Sequence, residues 1–147
     1  MGSPHAFRWL VPVPSVVAYG ASLQMTALQV SGRDLSGTYV LARGWLGVFT
    51  GDLAWFANPL YLLALVLVLF KCYRSGACAA LVGAAVGLLS ASADAWWFAE
   101  NRGTPIDGLG LGFQVWEASF LLLFLGALVL WLASGYSSRP KPLPGSA

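Results

Sequence analysis

The sequence predicts an all-α, polytopic membrane protein in which four transmembrane helices form two tandem hairpins. The first observation is composition, since 58% of the residues are hydrophobic and only 10% are charged, against about 25% charged residues in ordinary soluble domains. The second is a set of four mostly apolar segments, each close to the roughly 20 residues that a membrane-spanning helix needs. The third is that segment 51–70 recurs as segment 112–131. So few charged groups cannot cover a water-facing surface, and a lipid bilayer is the solvent that fits.

The recurrence is the basis for predicting a hairpin that is used twice. Segments 51–70 and 112–131 align without gaps and share a Leu-Val-Leu triplet just before their last residue. Leucine-rich runs match easily, so the more informative part is a Gly-x3-Trp-x-Ala pattern at the entry. Its matching pairs are Gly51 and Gly112, Trp55 and Trp116, and Ala57 and Ala118.

The first span is predicted at about residues 10–30, after an interfacial anchor formed by Arg8 and Trp9. A cleaved signal peptide is the alternative, because Arg8 precedes an apolar run. The prolines at positions 12 and 14, the length of the run and the lack of an Ala-x-Ala cleavage site favour a span that stays in the protein.

The second span is predicted at about residues 52–70, with Pro59 about one turn inside it and bending its axis. The preceding stretch 38–49 is too apolar to lie free in water and too short to span the membrane. We therefore expect an interfacial or a re-entrant segment there, and the sequence leaves both open.

The third and fourth spans are predicted at about residues 77–99 and 109–134. A short turn precedes the third span, so spans two and three should be antiparallel neighbours. Gly83 and Gly87 give the third span a small-residue stripe for close helix contact. Residues 1–135 then form a single transmembrane domain, and residues 136–147, rich in Pro, Ser and Gly, are expected to be a disordered cytoplasmic tail.

The distribution of basic residues predicts the orientation in the membrane. Four spans place both termini and the middle turn on one side, where most of the basic residues fall: Arg8, Lys71, Arg74, Arg139 and Lys141. The opposite side holds Arg33, Arg43 and Arg102. The expected location is a bacterial inner (plasma) membrane, with the N- and C-termini in the cytoplasm.

Strongly polar side chains within the predicted spans mark the candidate site. An ionisable group near the centre of a span costs at least roughly 2.5 kcal/mol on insertion scales, so its presence calls for an explanation. Strongly polar side chains, two of them ionisable, fall in the outer half of all four spans: Gln24, Asn58, Asp94, Gln114 and Glu117. We expect them to form a polar cluster inside the bundle, with Arg43 or Arg102 as charge partners.

Three interpretations of this cluster remain open. It is a buried hydrogen-bond network that sets helix register, a binding or proton-handling site, or an acid–base pair in an intramembrane enzyme. In the first interpretation Asp94 is paired with an arginine, whereas Glu117 is uncharged. No nucleophile, metal triad or cofactor fingerprint accompanies the acids, so the sequence predicts a non-enzymatic protein without a cofactor.

The remaining composition argues against several other classes of protein. The net charge of +2 and the lack of a Lys/Arg cluster argue against nucleic-acid binding. Cys72 and Cys78 lack the Cys-x-x-Cys spacing of thiol–disulfide chemistry and have no nearby histidine for a metal site. The single histidine, His5, lies in the N-terminal lead, which excludes bis-histidine haem ligation within the bundle.

The chain resembles small four-span bacterial integral membrane proteins. The resemblance rests on Gly-Trp-Leu-Gly followed by Ala-Trp-x-Ala-Asn-Pro within residues 44–69, and on Trp-x-Ala-Ser within residues 112–130. Glu117 stands where that pattern has a neutral residue. The resemblance implies the structural class and no activity.

From size and missing motifs we expect an accessory, assembly or structural subunit of a membrane complex, in contact with lipid and with other membrane proteins or further copies of itself. A small transporter or channel component that uses the polar cluster is the alternative. An intramembrane enzyme that uses Asp94 and Glu117 is a further alternative.

Overall fold

The computed structural model describes residues 10–97 and 103–137 as a helical bundle that carries a small β-sheet at one end. The helices within these residues are α1 (Pro12–Ser22), α2 (Gly37–Gly44), α3 (Ala57–Leu69), α4 (Tyr73–Gly87) and α5 (Leu111–Ser137). The strands are β1 (Thr26–Val30), β2 (Arg33–Ser36), β3 (Ala95–Trp96) and β4 (Thr104–Leu109). Short 3-10 segments cover Trp45–Phe49, Ala54–Phe56 and Leu88–Ser92. The prediction of a mainly helical chain is confirmed, whereas the all-α class omitted the sheet.

The helices are shorter than three of the four predicted spans. Helix α1 ends at Ser22, and residues 26–30 form a strand in which Leu28 and Val30 are buried and Gln29 between them is exposed. Helix α4 starts earlier than predicted and ends at Gly87, after which the chain tightens into a 3-10 turn. Helix α5 matches the fourth span closely. The predicted tail lies outside the described residues, apart from its first two, which end α5.

The core of the bundle is built from small side chains spaced at helical intervals. Helix α3 packs on α4, α4 on α5, and α5 on α1. The buried alanines include Ala57 and Ala64 on α3 and Ala77, Ala80 and Ala84 on α4, while α5 contributes Phe120, Leu123, Ala127 and Leu130. Small residues let the helix backbones approach closely, which is the usual mode of packing for helices in lipid.

The predicted small-residue stripe on α4, Gly83 and Gly87, packs closely against α5. A Cβ atom added at Gly83 would lie 2.8 Å from Phe120 Cε1, and one added at Gly87 would lie 2.7 Å from Glu117 Oε2. Neither position has room for a side chain. The two glycines therefore set how closely α4 approaches α5.

The sheet has the strand order β2-β1-β4-β3 and is antiparallel throughout. A two-residue turn joins β1 to β2, and both its residues have positive φ, 46° at Ser31 and 73° at Gly32, as a type I′ hairpin turn requires. Leu28, Val30 and Trp96 form a second core with Tyr39 and Val40 of α2 beneath the sheet. The sheet and α2 thus form a layer that covers one end of the bundle.

The first half of the described chain runs helix, two strands and two helices, whereas the second half runs helix, two strands and one helix. Helix α2 has no counterpart in the second half, so the tandem repeat stays a prediction. The sheet does not follow it, since the inner strands β1 and β4 are the first strand of one half and the second strand of the other.

The segment before the second span is helical rather than extended. Ser36 caps α2 through its hydroxyl, which accepts a hydrogen bond from the Tyr39 N–H. The 3-10 segment that follows α2 exposes Trp45, Val48 and Phe49, the last with 79% of its surface accessible. A helical segment with exposed aromatic residues is typical of an interfacial position.

The prolines lie where a helix tolerates them. Pro12 occupies the first helical position of α1, and Pro59 lies in the first turn of α3 rather than a turn inside it. At these positions the missing N–H breaks little of the helical hydrogen bonding. The Trp55 carbonyl, four residues before Pro59, accepts a hydrogen bond from Asn58 Nδ2 at 2.9 Å.

The turn between α3 and α4 forms at the end opposite the sheet. The Cys72 N–H donates to the Leu67 carbonyl and the Lys71 N–H to the Val68 carbonyl, which together make a Schellman motif. Lys71 takes the left-handed conformation, with φ of 66°, at the position where glycine is usual.

Within residues 10–97 and 103–137, two helical segments are long and apolar enough to cross a membrane. They are Tyr73–Ser92, with a mean hydropathy of 1.6, and Leu111–Ser134, with 2.1. The apolar segment Ala54–Leu69 is shorter.

Candidate functional site

A cavity of about 90 Å³ lies where the sheet and α2 meet the ends of the bundle helices. Four aromatic residues line it: Trp55, Trp96, Phe113 and Trp116. Its polar lining comes from Ser22, Asp52, Asn58 and Ser90. An apolar cavity with a few polar groups is the usual form of a small-molecule site.

Asn58 lies in the cavity wall and joins three helical segments. Its side-chain Oδ1 accepts hydrogen bonds from the Tyr19 hydroxyl at 2.8 Å and from Trp116 Nε1 at 3.1 Å. Its Nδ2 donates to the Trp55 carbonyl. Asn58 is 8% exposed, so these bonds replace water that the buried amide has lost.

A second polar layer lies one helical turn deeper in the bundle. Ser15 of α1 donates to the Ser119 carbonyl of α5 at 2.8 Å, and its Oγ lies 2.7 Å from the Tyr61 hydroxyl of α3. A serine hydroxyl has only one proton to give. Tyr61 is therefore the donor to Ser15, and the direction of this bond is settled.

The aromatic rings around these hydrogen bonds form a continuous series of stacked and edge-to-face contacts. The Tyr19 and Tyr61 rings are nearly parallel with centroids 4.5 Å apart. Phe120 meets the edges of both Tyr61 and Trp116 at 5.0 Å. Such contacts add roughly 0.5–1.5 kcal/mol each beyond the buried area, so the rings hold the polar layers in place.

The repeated segments share one local interaction in this region. Asn58 Nδ2 donates to the carbonyl of Trp55 three residues earlier, and Ser119 Oγ donates to the carbonyl of Trp116 three residues earlier. The carbonyl of the repeated tryptophan thus accepts a side-chain hydrogen bond from the residue three positions later in both segments, although the donor residues differ and Trp116 lies inside α5 rather than at its start.

Asp52 is the charged residue in the described part of the cavity wall. Its Oδ1 accepts a hydrogen bond from the Ala54 N–H at 3.0 Å, which starts the 3-10 segment before α3. No lysine or arginine among residues 10–97 and 103–137 forms an ion pair with it. Trp55, within this 3-10 segment, donates its indole N–H to the Leu41 carbonyl at 2.8 Å.

The predicted cluster does not assemble as a single group. Of its five members, Asn58 is buried and Glu117 is partly buried, whereas the side chains of Gln24, Asp94 and Gln114 are exposed. Asp94 follows the 3-10 turn after α4, so it has left the helix face that carries Gly83 and Gly87.

Arg43, the candidate arginine partner that lies within the described residues, forms no ion pair with these acids there. Arg43 lies over the Tyr39 ring, with its guanidinium carbon 4.2 Å from the ring centroid. Arg102 lies outside the described residues. The expected pairing of Asp94 with Arg43 is therefore replaced by a cation–π contact within α2.

Glu117 lies between α4 and α5, beside Gly87. Its Oε2 is buried and has no hydrogen-bond partner within residues 10–97 and 103–137. The close contact with Gly87 explains why the side chain is enclosed, since α4 has no side chain there to keep the carboxyl away. Glu117 is therefore separate from the hydrogen-bonded network around Asn58.

The sequence interpretation missed most members of the network, namely Ser15, Tyr19, Tyr61, Trp116 and Ser119. One signal was present: Ser15, Tyr19 and Ser22 recur at i, i+4 and i+7 in an otherwise apolar segment, which places them on one helix face. Tyr61 and Trp116 had no comparable signal, because aromatic residues are common in membrane spans.

The described residues include no group of three or more His, Cys, Asp or Glu side chains that could hold a metal ion. Cys72 and Cys78 are both exposed thiols. Comparison of the chain with protein-family models, with curated proteins and with solved structures finds no match.

Proposed function

We propose that this chain is a four-span integral membrane protein of a bacterial inner membrane, without enzymatic activity, that serves as an accessory or assembly subunit of a larger membrane complex. The observation that carries the membrane assignment is the outward face of the helices. Only 33% of the apolar window in Tyr73–Ser92 and 28% of that in Leu111–Ser134 is buried inside the structure. The core helix of a soluble protein is mostly buried, and these two are mostly not.

The same exposure extends to the two shorter helices. Val13, Val16 and Val17 of α1 and Leu62 and Leu63 of α3 are about half exposed or more. Apolar patches of this extent are rare on soluble monomers. Helix α3 is only about 20 Å long at 1.5 Å per residue, so spanning by α1 and α3 requires a thin bilayer or embedded helix ends.

The positions of the charges support an orientation with the sheet outside the cell. Lys71 and Arg74 lie at the α3–α4 turn, and Arg74 also stacks over Trp131 at 5.8 Å. Asp34, Asp52 and Asp107 lie at the sheet end. Arg33 and Arg43 also lie at the sheet end, so the described basic residues divide evenly between the two ends. The orientation therefore rests on the sequence count, in which five basic residues fall on the inner side and three on the outer side, in line with the positive-inside rule.

A subunit role is supported by how the buried polar groups are used. Ser15, Tyr19, Asn58 and Tyr61 hydrogen-bond to one another or to neighbouring backbone, which stabilises the arrangement of the helices. Because these polar groups already have hydrogen-bond partners inside the bundle, we infer that they stabilise its structure. The lipid-facing sides of the helices remain available for contact with other subunits.

Cysteine labelling tests the topology directly. Cys72 and Cys78 are exposed near the α3–α4 turn, so a membrane-impermeant maleimide should label them in inside-out vesicles and not in intact cells. A Cys72→Ser, Cys78→Ser variant carrying a new cysteine at exposed Ser31 is the matched control and should label in intact cells. Labelling of the native cysteines from outside would refute the orientation.

Purification in mild detergent tests the subunit proposal. The tagged chain, crosslinked in membranes before extraction, should co-purify with the same membrane protein or with further copies of itself in independent preparations. A monodisperse monomer without crosslinked species would refute it.

Glu117 favours a second candidate, a small transporter or channel component. A carboxyl oxygen enclosed between two apolar helices without a hydrogen-bond partner is typical of groups that exchange a proton or a cation. Reconstituted vesicles should then show proton or monovalent-cation flux that is lost in Glu117→Gln and kept in Asp94→Asn. Equal flux in both variants, or none in the wild type, would exclude this candidate.

A further inference from the structure

We propose that the cavity beneath the sheet binds a methylated ammonium group, as in a quaternary ammonium ion or the headgroup of a choline lipid. The proposal is independent of the subunit role. It rests on one juxtaposition: the Asp52 carboxylate and the rings of Trp55, Trp96 and Trp116 line the same cavity.

Charge is the first argument. Asp52 is the charged side chain in the described cavity wall, and no described lysine or arginine neutralises it. One carboxylate oxygen accepts the Ala54 N–H, while the other has no hydrogen-bond donor within residues 10–97 and 103–137. A carboxylate partly enclosed in an apolar cavity favours a positively charged occupant.

The aromatic lining is the second argument. Trp55 gives its indole N–H to the Leu41 carbonyl, and Trp116 gives its indole N–H to Asn58. With these donors engaged, the two indoles offer the cavity only their carbon surface. Tryptophan is the strongest partner in cation–π contacts, and several rings around one site are how proteins recognise quaternary ammonium ligands.

The few available hydrogen-bond acceptors distinguish among cations. A primary ammonium needs three acceptors to replace its water, and the Asn58 carbonyl oxygen already accepts two hydrogen bonds. A methylated ammonium keeps its charge but has an apolar surface, so it matches a mainly apolar wall.

The size and position of the cavity fit this group. The cavity of about 90 Å³ has room for several water molecules, since roughly 10–15 Å³ of such space holds one, and a compact headgroup fills it better than a long chain does. The cavity lies at the ends of the bundle helices, the level at which lipid headgroups meet a membrane protein. Both a free ion and a lipid headgroup can therefore reach it.

The test compares choline with its neutral isostere 3,3-dimethylbutan-1-ol, in which carbon replaces the nitrogen. The purified full chain in a choline-free detergent is titrated by calorimetry and by tryptophan fluorescence. We expect saturable choline binding and at least about tenfold weaker binding of the isostere, since a desolvated cation–π contact contributes about 2 kcal/mol. Equal binding of the two, or no saturable binding because the cavity holds water only, would overturn the proposal.

Asp52→Asn removes the charge and keeps an oxygen that can accept the Ala54 N–H. It should weaken choline binding about tenfold or more, the effect of removing a unit charge close to the ligand. Asp34→Asn, an equal charge change at an exposed strand position outside the cavity wall, should leave it unchanged. Equal affinities in the two variants would also overturn the proposal, and the isostere comparison decides the matter if Asp52→Asn does not fold.

Nanodiscs distinguish the two sources of the ligand. If lipid headgroups occupy the site, phosphatidylcholine discs should lower the apparent affinity for free choline relative to phosphatidylethanolamine discs, which have the same net charge and an unmethylated ammonium. If the ligand is a free ion, the two affinities should agree. Binding of choline in neither lipid would contradict the assignment.

Discussion

The hydrogen bonds of Ser15 make an unequal prediction for its two partners. Ser15 is fully buried, donates to the Ser119 carbonyl and accepts from Tyr61, whose side chain is 2% exposed. Ser15→Ala removes both bonds and strands the Tyr61 hydroxyl, whereas Tyr61→Phe removes one bond and leaves Ser15 still donating. The serine variant should therefore be the more damaging of the two.

The magnitudes follow from the cost of each loss. A lost hydrogen bond costs about 0.5–1.5 kcal/mol, and a buried donor left without an acceptor costs about 1–3 kcal/mol. Hydrogen bonds measured inside membranes average only about 0.6 kcal/mol, which favours the lower ends of these ranges. We expect a loss of about 2 kcal/mol for Ser15→Ala and about 0.5–1 kcal/mol for Tyr61→Phe.

The double variant provides the sharpest test. Once Ser15 is alanine, Tyr61→Phe removes the stranded hydroxyl and should restore about 1 kcal/mol, because removing both partners of a buried pair is nearly neutral. Reversible unfolding in mixed detergent micelles measures all three variants. Additive losses in the double variant, or a larger loss for Tyr61→Phe than for Ser15→Ala, would refute the assigned donor direction.

Three further predictions use the same unfolding measurement. Gly83→Ala should destabilise the protein by about 1–3 kcal/mol through overpacking against Phe120. Gly20→Ala in α1 is the control, because nothing lies within 4 Å of its added Cβ, and it should be neutral or stabilising by up to about 1 kcal/mol. Equal effects of the two variants would contradict the close contact at Gly83. Asn58→Leu should lower the free energy of unfolding by about 2–3 kcal/mol, because the Tyr19 and Trp116 donors lose their acceptor. Asp94→Asn, at an exposed position, should lower it by less than about 0.5 kcal/mol. Similar losses in the two variants would argue against the network. Lys71→Gly should stabilise by about 1 kcal/mol, since it relieves the left-handed conformation of a residue with a Cβ, and a loss of stability would argue against the Schellman geometry.

The helices were predictable from the sequence because hydrophobic content and small-residue spacing are local signals. Gly83 and Gly87 are four residues apart, so their common face follows from helical geometry alone, and both make the close contacts expected of them. Helix α5 likewise coincides with its predicted span.

The sheet was not predictable in the same way. Within Thr26–Val30, only Leu28, Gln29 and Val30 alternate as a strand does, and the segment follows an apolar helix without a proline or glycine between them, so the sequence predicts that the span continues through it. Its pairing with β4 depends on residues far away in the chain, which a local pattern does not contain. The 3-10 turn at Leu88–Ser92 had a similar effect, because the third span, predicted to run to residue 99, includes Asp94, whereas the helix ends at Gly87.

The site was predictable only where a strongly polar residue interrupts an apolar helix. Asn58 met that condition, and the structure places it in the network and in the cavity wall. Ser15, Tyr19 and Tyr61 did not, since serine and tyrosine are tolerated in spans without a partner. What distinguishes them is their position opposite one another on different helices, and that is a property of the tertiary structure.

The pairing of β1 with β4 has a consequence for the order in which this chain folds. Ser15 and Ser119 are 104 residues apart, and the Gly32 N–H reaches Asp107 across 75 residues. During synthesis from the N-terminus, α1 and the β1–β2 hairpin therefore emerge long before their partners exist, and closing such long loops is slow. Until β4 and α5 are made, the side of β1 that faces away from β2 has no partner strand, and the Ser15 hydroxyl lacks its acceptor, the Ser119 carbonyl. Insertion of the last helix is thus the step that completes the sheet, the polar layers and the cavity together.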